Sequence, residues 1–144
     1  MQRVDLTPDD AAELTALFEE YDWWADRTES DVREALANSV AVGIRDDGKL
    51  VAAARVVTDG VYYAKLHDVI VTADRRGEGI GTRLLDAVFD HPALDDVFCS
   101  VTCRAGLVDF YERAGFEPYP SPVERPDGDP EAMSHLFQRG GDDA

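Results

Sequence analysis

The N-terminal part of the chain carries apolar residues at helical spacing, which predicts two helices. The first is expected to follow Thr7, a capping residue type, with Pro8 at its first position. The second is expected to begin after Ser30 as its cap. The segment between them, residues 21–28, is rich in aromatic residues and is predicted to be irregular. The apolar positions recur every three or four residues, at Ala11, Leu14, Leu17, Phe18, Val32, Ala35 and Leu36.

The middle of the chain changes to runs typical of strands. Residues 40–58 form two apolar runs around Asp46-Asp47-Gly48-Lys49, and Asp-Gly between such runs is a strong hairpin signal. A third run, residues 61–71, follows a second Asp-Gly break at 59–60. The predicted order is therefore helix, helix and then three strands that are antiparallel.

Beyond residue 75 a glycine-rich stretch precedes a helix, and the remaining elements are short. Strands are predicted at 96–102 and 134–139, and a helix at 106–115 should end at Gly115. Residues 121–130 are rich in Pro and Asp and are predicted to form a mobile loop. We expect a single domain over residues 1–140, of the α/β (α+β) class and built on a mixed sheet. Residues 141–144 are expected to form a polar tail.

The charge balance is strongly acidic, with 30 acidic residues against 14 basic ones and a net charge of −16. This composition resembles that of salt-adapted archaeal proteins, whose dense surface carboxylates repel one another until salt screens them. No basic stripe is present, which disfavours binding to nucleic acid. The sequence contains no run of 18 apolar residues, so no membrane span is predicted. The first residues lack the apolar stretch of a secretory signal, and we therefore expect a cytoplasmic protein.

The cysteine and histidine positions do not favour a metal site. Cys99 and Cys103 are four residues apart in an extended segment, too far for a disulfide, and are expected to be reduced thiols. The three histidines, at positions 67, 91 and 135, are scattered rather than spaced as ligands. We therefore expect no metal.

The stretch RRGEGIGTRLLDAVF places three glycines where a helix is about to begin. Backbone N–H groups at a helix N-terminus have no intrahelical partner, and bare glycines let an anion approach them. Arg75 and Arg76 add cationic donors. The stretch thus predicts a phosphate or diphosphate site, yet it has neither the lysine of a P-loop nor the G-x-G-x-x-G of a dinucleotide fold.

Two motifs in this region resemble those of the GCN5-related N-acetyltransferases, the GNAT family. Residues 76–81, RGEGIG, resemble the family signature [QR]-x-x-G-x-[GA], and residues 109–119, DFYERAGFEPY, resemble its later helix and strand. The resemblance covers about residues 40–119, and the acidity suggests a haloarchaeal member. It implies a twisted, mostly antiparallel sheet that is splayed at its central strands and flanked by helices.

The resemblance also implies acetyl-coenzyme A as co-substrate and no metal. Tyr111 would protonate the departing thiolate, and His67 and Asp68 would be the candidate bases, on opposite faces of one strand by simple alternation. The alternatives are a structural histidine and a bracing aspartate. Arg104 stands where the family often has asparagine. The implied cofactor contacts are Val69, Ile70, Val71, Arg76, Gly77, Glu78, Gly79, Ile80, Gly81 and Thr82.

On the acceptor side the resemblance places Trp23 and Trp24, with Tyr21 as a companion, although such a pair also suits a core or a lid. The main hypothesis is an N-acetyltransferase that acts on a primary amine, of a small molecule or a protein, by direct attack in a ternary complex. The alternatives are a catalytically silent coenzyme A-binding sensor and a nucleotide-binding regulator. The resemblance is compatible with a homodimer.

Overall fold

A seven-stranded sheet forms the centre of the structure, a computed structural model that describes residues 1–118 and 133–138. The strands lie in the order β1-β2-β3-β4-β5-β7-β6, and every neighbouring pair is antiparallel except β4 and β5. The predicted mixed, mostly antiparallel sheet is confirmed. The strands are β1 (Gln2–Asp5), β2 (Val40–Asp46), β3 (Lys49–Thr58), β4 (Tyr63–Val71), β5 (Phe98–Arg104), β6 (Glu117–Pro118) and β7 (Met133–Gln138).

Four helices flank this sheet, and short 3₁₀ turns join them to the strands. The helices are α1 (Ala11–Phe18), α2 (Glu29–Ala37), α3 (Ile80–Phe89) and α4 (Val108–Arg113). None of the helices in the described ranges is long and apolar enough to cross a membrane. The predicted loop 121–130 and the tail 141–144 lie outside the described residues.

The N-terminal region differs from the sequence prediction in two respects. The chain begins with a strand, β1, which the largely polar residues 2–5 did not indicate, because an exposed edge strand is defined by its pairing with β2. The cap of α2 is Thr28 and not Ser30, since the Thr28 side chain accepts the N–H of Asp31. Thr7 does cap a turn, the 3₁₀ helix Pro8–Asp10 that leads into α1.

Two hydrophobic clusters lie on opposite faces of the sheet. Helices α1 and α2 cover one face, where Leu14 and Phe18 pack with residues such as Ala53 of β3. Helices α3 and α4 cover the other face, where Leu84 packs with Ala52 and others. Neighbouring residues of β3 thus enter different clusters, as the two-residue period of a strand requires. We call these the α1–α2 face and the α3–α4 face.

The turn between β2 and β3 confirms the predicted hairpin. Asp47 and Gly48 both have left-handed backbone, with φ of 52° and 77°. Two consecutive left-handed residues give the turn a twist that matches that of its strands, and Asp-Gly is among the pairs that adopt it most readily.

The central strands β4 and β5 separate after four residues, and this confirms the predicted splay. Residues 63–66 of β4 pair with residues 98–101 of β5, and the register between the two strands ends there. Strand β5 continues its ladder with β7 as far as Arg104. The second half of β4 therefore faces a gap.

Candidate active site at the splayed strands

A β-bulge lies in β4 just where the strand leaves β5. Arg55 stands opposite His67 and Ala53 opposite Ile70, so Asp68 and Val69 together face the single residue Ala54. Asp68 has left-handed backbone, with φ of 56°. The extra residue cancels the alternation, and the prediction that His67 and Asp68 lie on opposite faces was wrong. Arg55 faces His67 in the register, and its guanidinium donates a hydrogen bond to the Asp68 carboxylate.

Beyond the bulge, the main chain of β4 turns polar groups toward the gap. The N–H of Thr72 donates to the carbonyl of Val51 on β3 at 2.8 Å. By alternation Ile70 also faces β3, whereas the N–H and C=O groups of Val69 and Val71 face the gap. The Ile70 side chain is buried against α1. Of the three residues predicted to contact a cofactor, Val69 and Val71 therefore present their backbone to the gap, and Ile70 does not.

The glycine-rich loop ends in left-handed backbone at Gly77 and Gly79, with φ of 82° and 80°. A Cβ on either would meet nothing within 4 Å, so these glycines serve the backbone conformation and face open space. The first bond of α3 runs from the N–H of Arg83 to the carbonyl of Gly79. In the described part of the chain, no acceptor takes the N–H groups of residues 76–82. These donors lie just before and within the first turn of a ten-residue helix, where the helix dipole adds partial positive charge.

Gly81 serves a different purpose from the glycines before it. A Cβ there would lie 3.2 Å from Cζ of Phe110 and 3.9 Å from Cγ2 of Val71. Its bareness lets Phe110 of α4 pack on the first turn of α3, beside the end of β4. Sequence reasoning missed Phe110, although it stands within the second motif. Its contact joins three elements around the gap.

The two arginines of the loop have different surroundings. The Arg75 guanidinium is ion-paired with Asp46 and with Glu78, each at 2.9 Å, so it braces the loop rather than offering the cationic donor we expected. The Arg76 guanidinium lies 5.6 Å from the centre of the Tyr21 ring. Of the two, Arg76 is placed to meet an anion.

Tyr111 is buried on α4, with only 5% of its surface exposed. Its ring packs between Phe110 and Phe116, with centroids 5.0 and 5.6 Å away. Burial, and secondarily the nearby thiol of Cys103, raises the pKa of the Tyr111 phenol far above its usual range. The hydroxyl is therefore protonated at neutral pH, and no described side chain or carbonyl bonds to it.

His67 is half-buried on the α1–α2 face. Partial burial lowers the pKa of its imidazole below 6.5, and the charge of Arg55 lowers it further. The ring is therefore neutral near pH 7, the form that accepts a proton. It makes no hydrogen bond to the residues that the structure describes, so either ring nitrogen can meet a ligand.

Asp68 is held by two arginines. Arg27 binds both carboxylate oxygens, at 2.8 and 3.0 Å, and Arg55 adds a bond at 3.0 Å. Burial alone would raise the pKa of Asp68, but the hydrogen bonds and charge of the arginines outweigh it and the pKa is lowered. Asp68 keeps its charge and ties the bulge to the segment before α2. This bracing arrangement makes His67 the better placed of the two candidate bases.

The segment after α1 is fastened to the end of β4 by two further contacts that sequence reasoning missed. Glu20 accepts the Thr72 hydroxyl at 3.0 Å and the N–H of Ala73 at 2.8 Å. The Tyr21 hydroxyl donates to the carbonyl of Val71 at 2.6 Å. These residues are about fifty positions apart in sequence, so no local signal revealed the contacts.

Trp23 and Trp24 lie in this fastened segment, within a 3₁₀ turn over residues 22–24. Trp24 packs inward on Phe18, whereas half of the Trp23 surface is exposed. The guanidinium of Arg104, the last residue of β5, lies 4.2 Å from the centre of a Trp23 ring. We call this contact the Trp23–Arg104 bridge. It links the segment fastened to β4 with the end of β5, across the gap.

Residues 4–116 match the acetyltransferase (GNAT) family. The chain belongs to this family. A solved structure from Xanthomonas campestris pv. campestris, described as belonging to the GNAT family, is 30% identical and has a TM-score of 0.70; the match covers 88% of this chain and 94% of that one. An aminoglycoside 6'-N-acetyltransferase solved with coenzyme A has a TM-score of 0.77 at 16% identity, over 96% of this chain and 97% of that one, which supports the fold.

A curated relative is the chloroplastic GCN5-related N-acetyltransferase 2 of Arabidopsis thaliana, 28% identical over 94 residues and 65% of this chain. The chain spans about a third of that protein's length, since 33% of it is matched. The family and fold expectations are thus confirmed. Within the described residues no group of three or more His, Cys, Asp or Glu side chains could hold a metal ion.

Asp68→Asn tests the brace. Asparagine tolerates left-handed backbone, so the change removes mainly the charge. We expect a loss of about 2–3 kcal/mol of unfolding free energy near pH 7, somewhat below the cost of breaking a fully buried pair because the arginines are partly exposed. Denaturant unfolding measures it. The stability that a depressed pKa contributes is present above the unfolded pKa, about 3.9, so the difference should shrink below about pH 4.

Asp90→Asn is the matched control. The pair of Asp90 with Arg3 is 2.7 Å long but exposed on both sides, with 68% and 51% of the side chains accessible. Exposed pairs contribute about 0–1 kcal/mol, so this variant should unfold almost like the parent. Equal losses in the two variants would contradict the role assigned to Asp68.

Proposed function

We propose that this protein transfers an acetyl group from acetyl-coenzyme A to a primary amine, of a small molecule or a protein, by direct attack in a ternary complex. The observation that carries the proposal is the set of N–H groups at residues 76–82, which have no acceptor among the described residues and stand beside the gap between β4 and β5. Membership of the GNAT family supports the same chemistry.

The residues around the gap fit coenzyme A. The N–H groups of residues 76–82 and the guanidinium of Arg76 would bind the diphosphate. The outward N–H and C=O groups of Val69 and Val71 would pair with the amides of the pantetheine arm, as if it were an added strand. Tyr21 already donates to the Val71 carbonyl, which leaves the Val71 N–H for the arm.

Three groups of this chain would carry the chemistry. His67, neutral near pH 7, would accept a proton from the attacking amine, directly or through water. The N–H of Val69 or Val71 would donate to the thioester carbonyl as negative charge develops on it. Tyr111 would give its proton to the departing thiolate. Asp68 would act through its arginines as a positioning residue for the bulge.

The remaining parts of the proposal concern the acceptor and the setting. Trp23 and Trp24 would form the acceptor-side wall, where an aromatic or aliphatic amine could stack. We also propose a cytoplasmic, salt-adapted protein of haloarchaeal type that does not bind nucleic acid or membranes, and a homodimer as its assembly. The net charge of −16 supports salt adaptation, because screening within ~3 Å at 1 M salt relieves self-repulsion. A melting temperature that falls on adding salt would contradict it.

Gly79→Ala tests the diphosphate site. Left-handed backbone costs an alanine about 1–2 kcal/mol, so the variant should lose some stability. It should also bind coenzyme A about tenfold more weakly or worse, because hydrogen bonds to a charged group contribute about 1.5–3 kcal/mol each. Calorimetric titration gives the Kd.

Gly60→Ala is the control for Gly79→Ala. Gly60 has φ of 76°, and a Cβ added there would meet nothing within 4 Å, so the strain matches that at Gly79. Gly60 precedes β4, whereas the glycine-rich loop follows this strand. It should lose similar stability and keep the parent's Kd. Unchanged affinity in Gly79→Ala would remove the basis of the proposal.

Tyr111→Phe tests the acid. The ring still packs, so binding of acetyl-coenzyme A should hold while kcat falls about 10²-fold or more. Thiol release is measured with a panel of amines, and Tyr62→Phe, at an exposed tyrosine, is the control. Tight binding of coenzyme A with no turnover of any amine by the parent protein would instead indicate a silent coenzyme A-binding module.

The pH dependence tests His67. Protonation of the acceptor amine lowers kcat/KM at its own, higher pKa. A base with a lowered pKa adds a second limb, a further fall of kcat/KM that begins only below about pH 6.5. His67→Gln should abolish that limb and lower the rate by about 10²-fold or more. In the control variant His91→Gln, the acid limb and the rate should both be those of the parent. A persistent limb in His67→Gln would favour the structural role.

A further inference from the structure

Part of the α1–α2 face carries none of the helices that the structure describes. Tyr63, Lys65 and His67 alternate along β4 on this face, next to Phe98 and Ser100 of β5. Helices α1 and α2 pack on β1 to β3 and on the end of β4, so none of the described helices covers the first half of β4. A groove of about 400 Å³ lies there, and we call it the Tyr63 groove. It is lined by Val57, Tyr63, Lys65, Phe98 and Ser100, among others.

The backbone at the aromatic end of the Tyr63 groove is tied down by hydrogen bonds, although the Tyr63 side chain is exposed. Tyr63 is 68% exposed. One oxygen of Asp59 accepts the N–H groups of Val61, Tyr62 and Tyr63, at 2.8, 2.8 and 3.2 Å. The Tyr63 ring stands edge-on to Phe98, with centroids 6.3 Å apart. An exposed aromatic side chain has few rotatable bonds, so it is well suited to bind a partner with little loss of entropy.

The Tyr63 groove lies along the same strand as the candidate base, because Lys65 of its lining stands two residues before His67 on β4. From His67 toward the end of β4, the face is occupied by the Asp68 ion pairs and by the Trp23–Arg104 bridge. From His67 in the other direction, the described surface runs along β4 past Lys65 to Tyr63. An acceptor whose amine lies at His67 would therefore extend its remaining length into the groove.

We infer that the Tyr63 groove binds the body of a polypeptide acceptor whose N-terminal amine reaches His67. This inference rests on the proposed function. At ~3.3 Å per residue, Lys65 lies about 7 Å and Tyr63 about 13 Å from His67 along the strand. An extended peptide has the same rise, so its third residue would stand at Lys65 and its fifth at Tyr63. A compact amine would not reach either side chain.

The lining specifies the side chains that fit. Lys65 is one of only two lysines in the chain. Because its ammonium is positively charged, it favours an acidic residue at the third position of the acceptor. The rings of Tyr63 and Phe98, which are register partners, favour an aromatic residue at the fifth position. The acceptor class is thus a protein N-terminus with an acidic and then an aromatic residue on alternate positions.

The test compares three amides as acceptors at one fixed salt concentration: Ala-Ala-Glu-Ala-Phe-amide, Ala-Ala-Gln-Ala-Phe-amide and alanine amide. We expect kcat/KM to be about tenfold or more higher for the first than for alanine amide, through KM. In Tyr63→Ser that ratio should collapse toward one. In Lys65→Gln the preference for glutamate over glutamine should disappear, and Val61→Ser, at an exposed residue outside the lining, should behave like the parent.

The outcomes separate this inference from the proposed function. Acetylation of all three amides with equal kcat/KM, or a ratio unaffected by Tyr63→Ser, would overturn the groove and leave the transferase intact. A preference for phenethylamine over every peptide would overturn it equally. Binding of coenzyme A without acetylation of any amine would overturn the proposed function, and the inference with it.

Discussion

The separation of β4 from β5 is the constraint on which the rest of the structure depends. A continuous ladder with β5 would use the N–H and C=O groups of Val69 and Val71, and the departure of β4 from β5 after Leu66 leaves these groups facing a gap. The bulge at Asp68 falls at the same place and changes which side chains face α1 and α2. The separation thus exposes the backbone groups of Val69 and Val71, and the bulge brings Asp68 to the face on which His67 lies.

An irregular strand needs support, and most of it comes from the segment between α1 and α2. Arg27 binds the carboxylate of the bulged residue, Tyr21 binds the carbonyl of Val71, and Glu20 binds the residues that follow. Polar groups that leave a sheet ladder must find other partners, since unpaired buried groups cost about 1–3 kcal/mol each. The same segment carries the tryptophans, so Trp23, Trp24 and the second half of β4 form one connected unit.

The sequence predicted those features that depend on local chemistry. Asp47-Gly48 identified the hairpin, and the glycines before α3 identified the loop with N–H donors, because few residue types adopt left-handed backbone at such positions. Features that depend on distant contacts were not predictable in this way. The brace joins Arg27 to Asp68, 41 residues apart, and the bulge is visible only in the register of β3 against β4. Strand β1 was missed because its pairing partner, rather than its own composition, makes it a strand.

The contact between Gly81 and Phe110 has a consequence for how such a sequence can change over time. The two residues belong to motifs that are separated by about thirty positions and seem independent when the chain is written out. In space, a Cβ at one would lie 3.2 Å from the ring of the other. A larger residue at position 81 would need the Phe110 ring to shift by a few tenths of an ångström or a smaller residue at 110, so the effects of substitutions at the two positions are coupled. The pair of motifs is one steric unit divided between two helices.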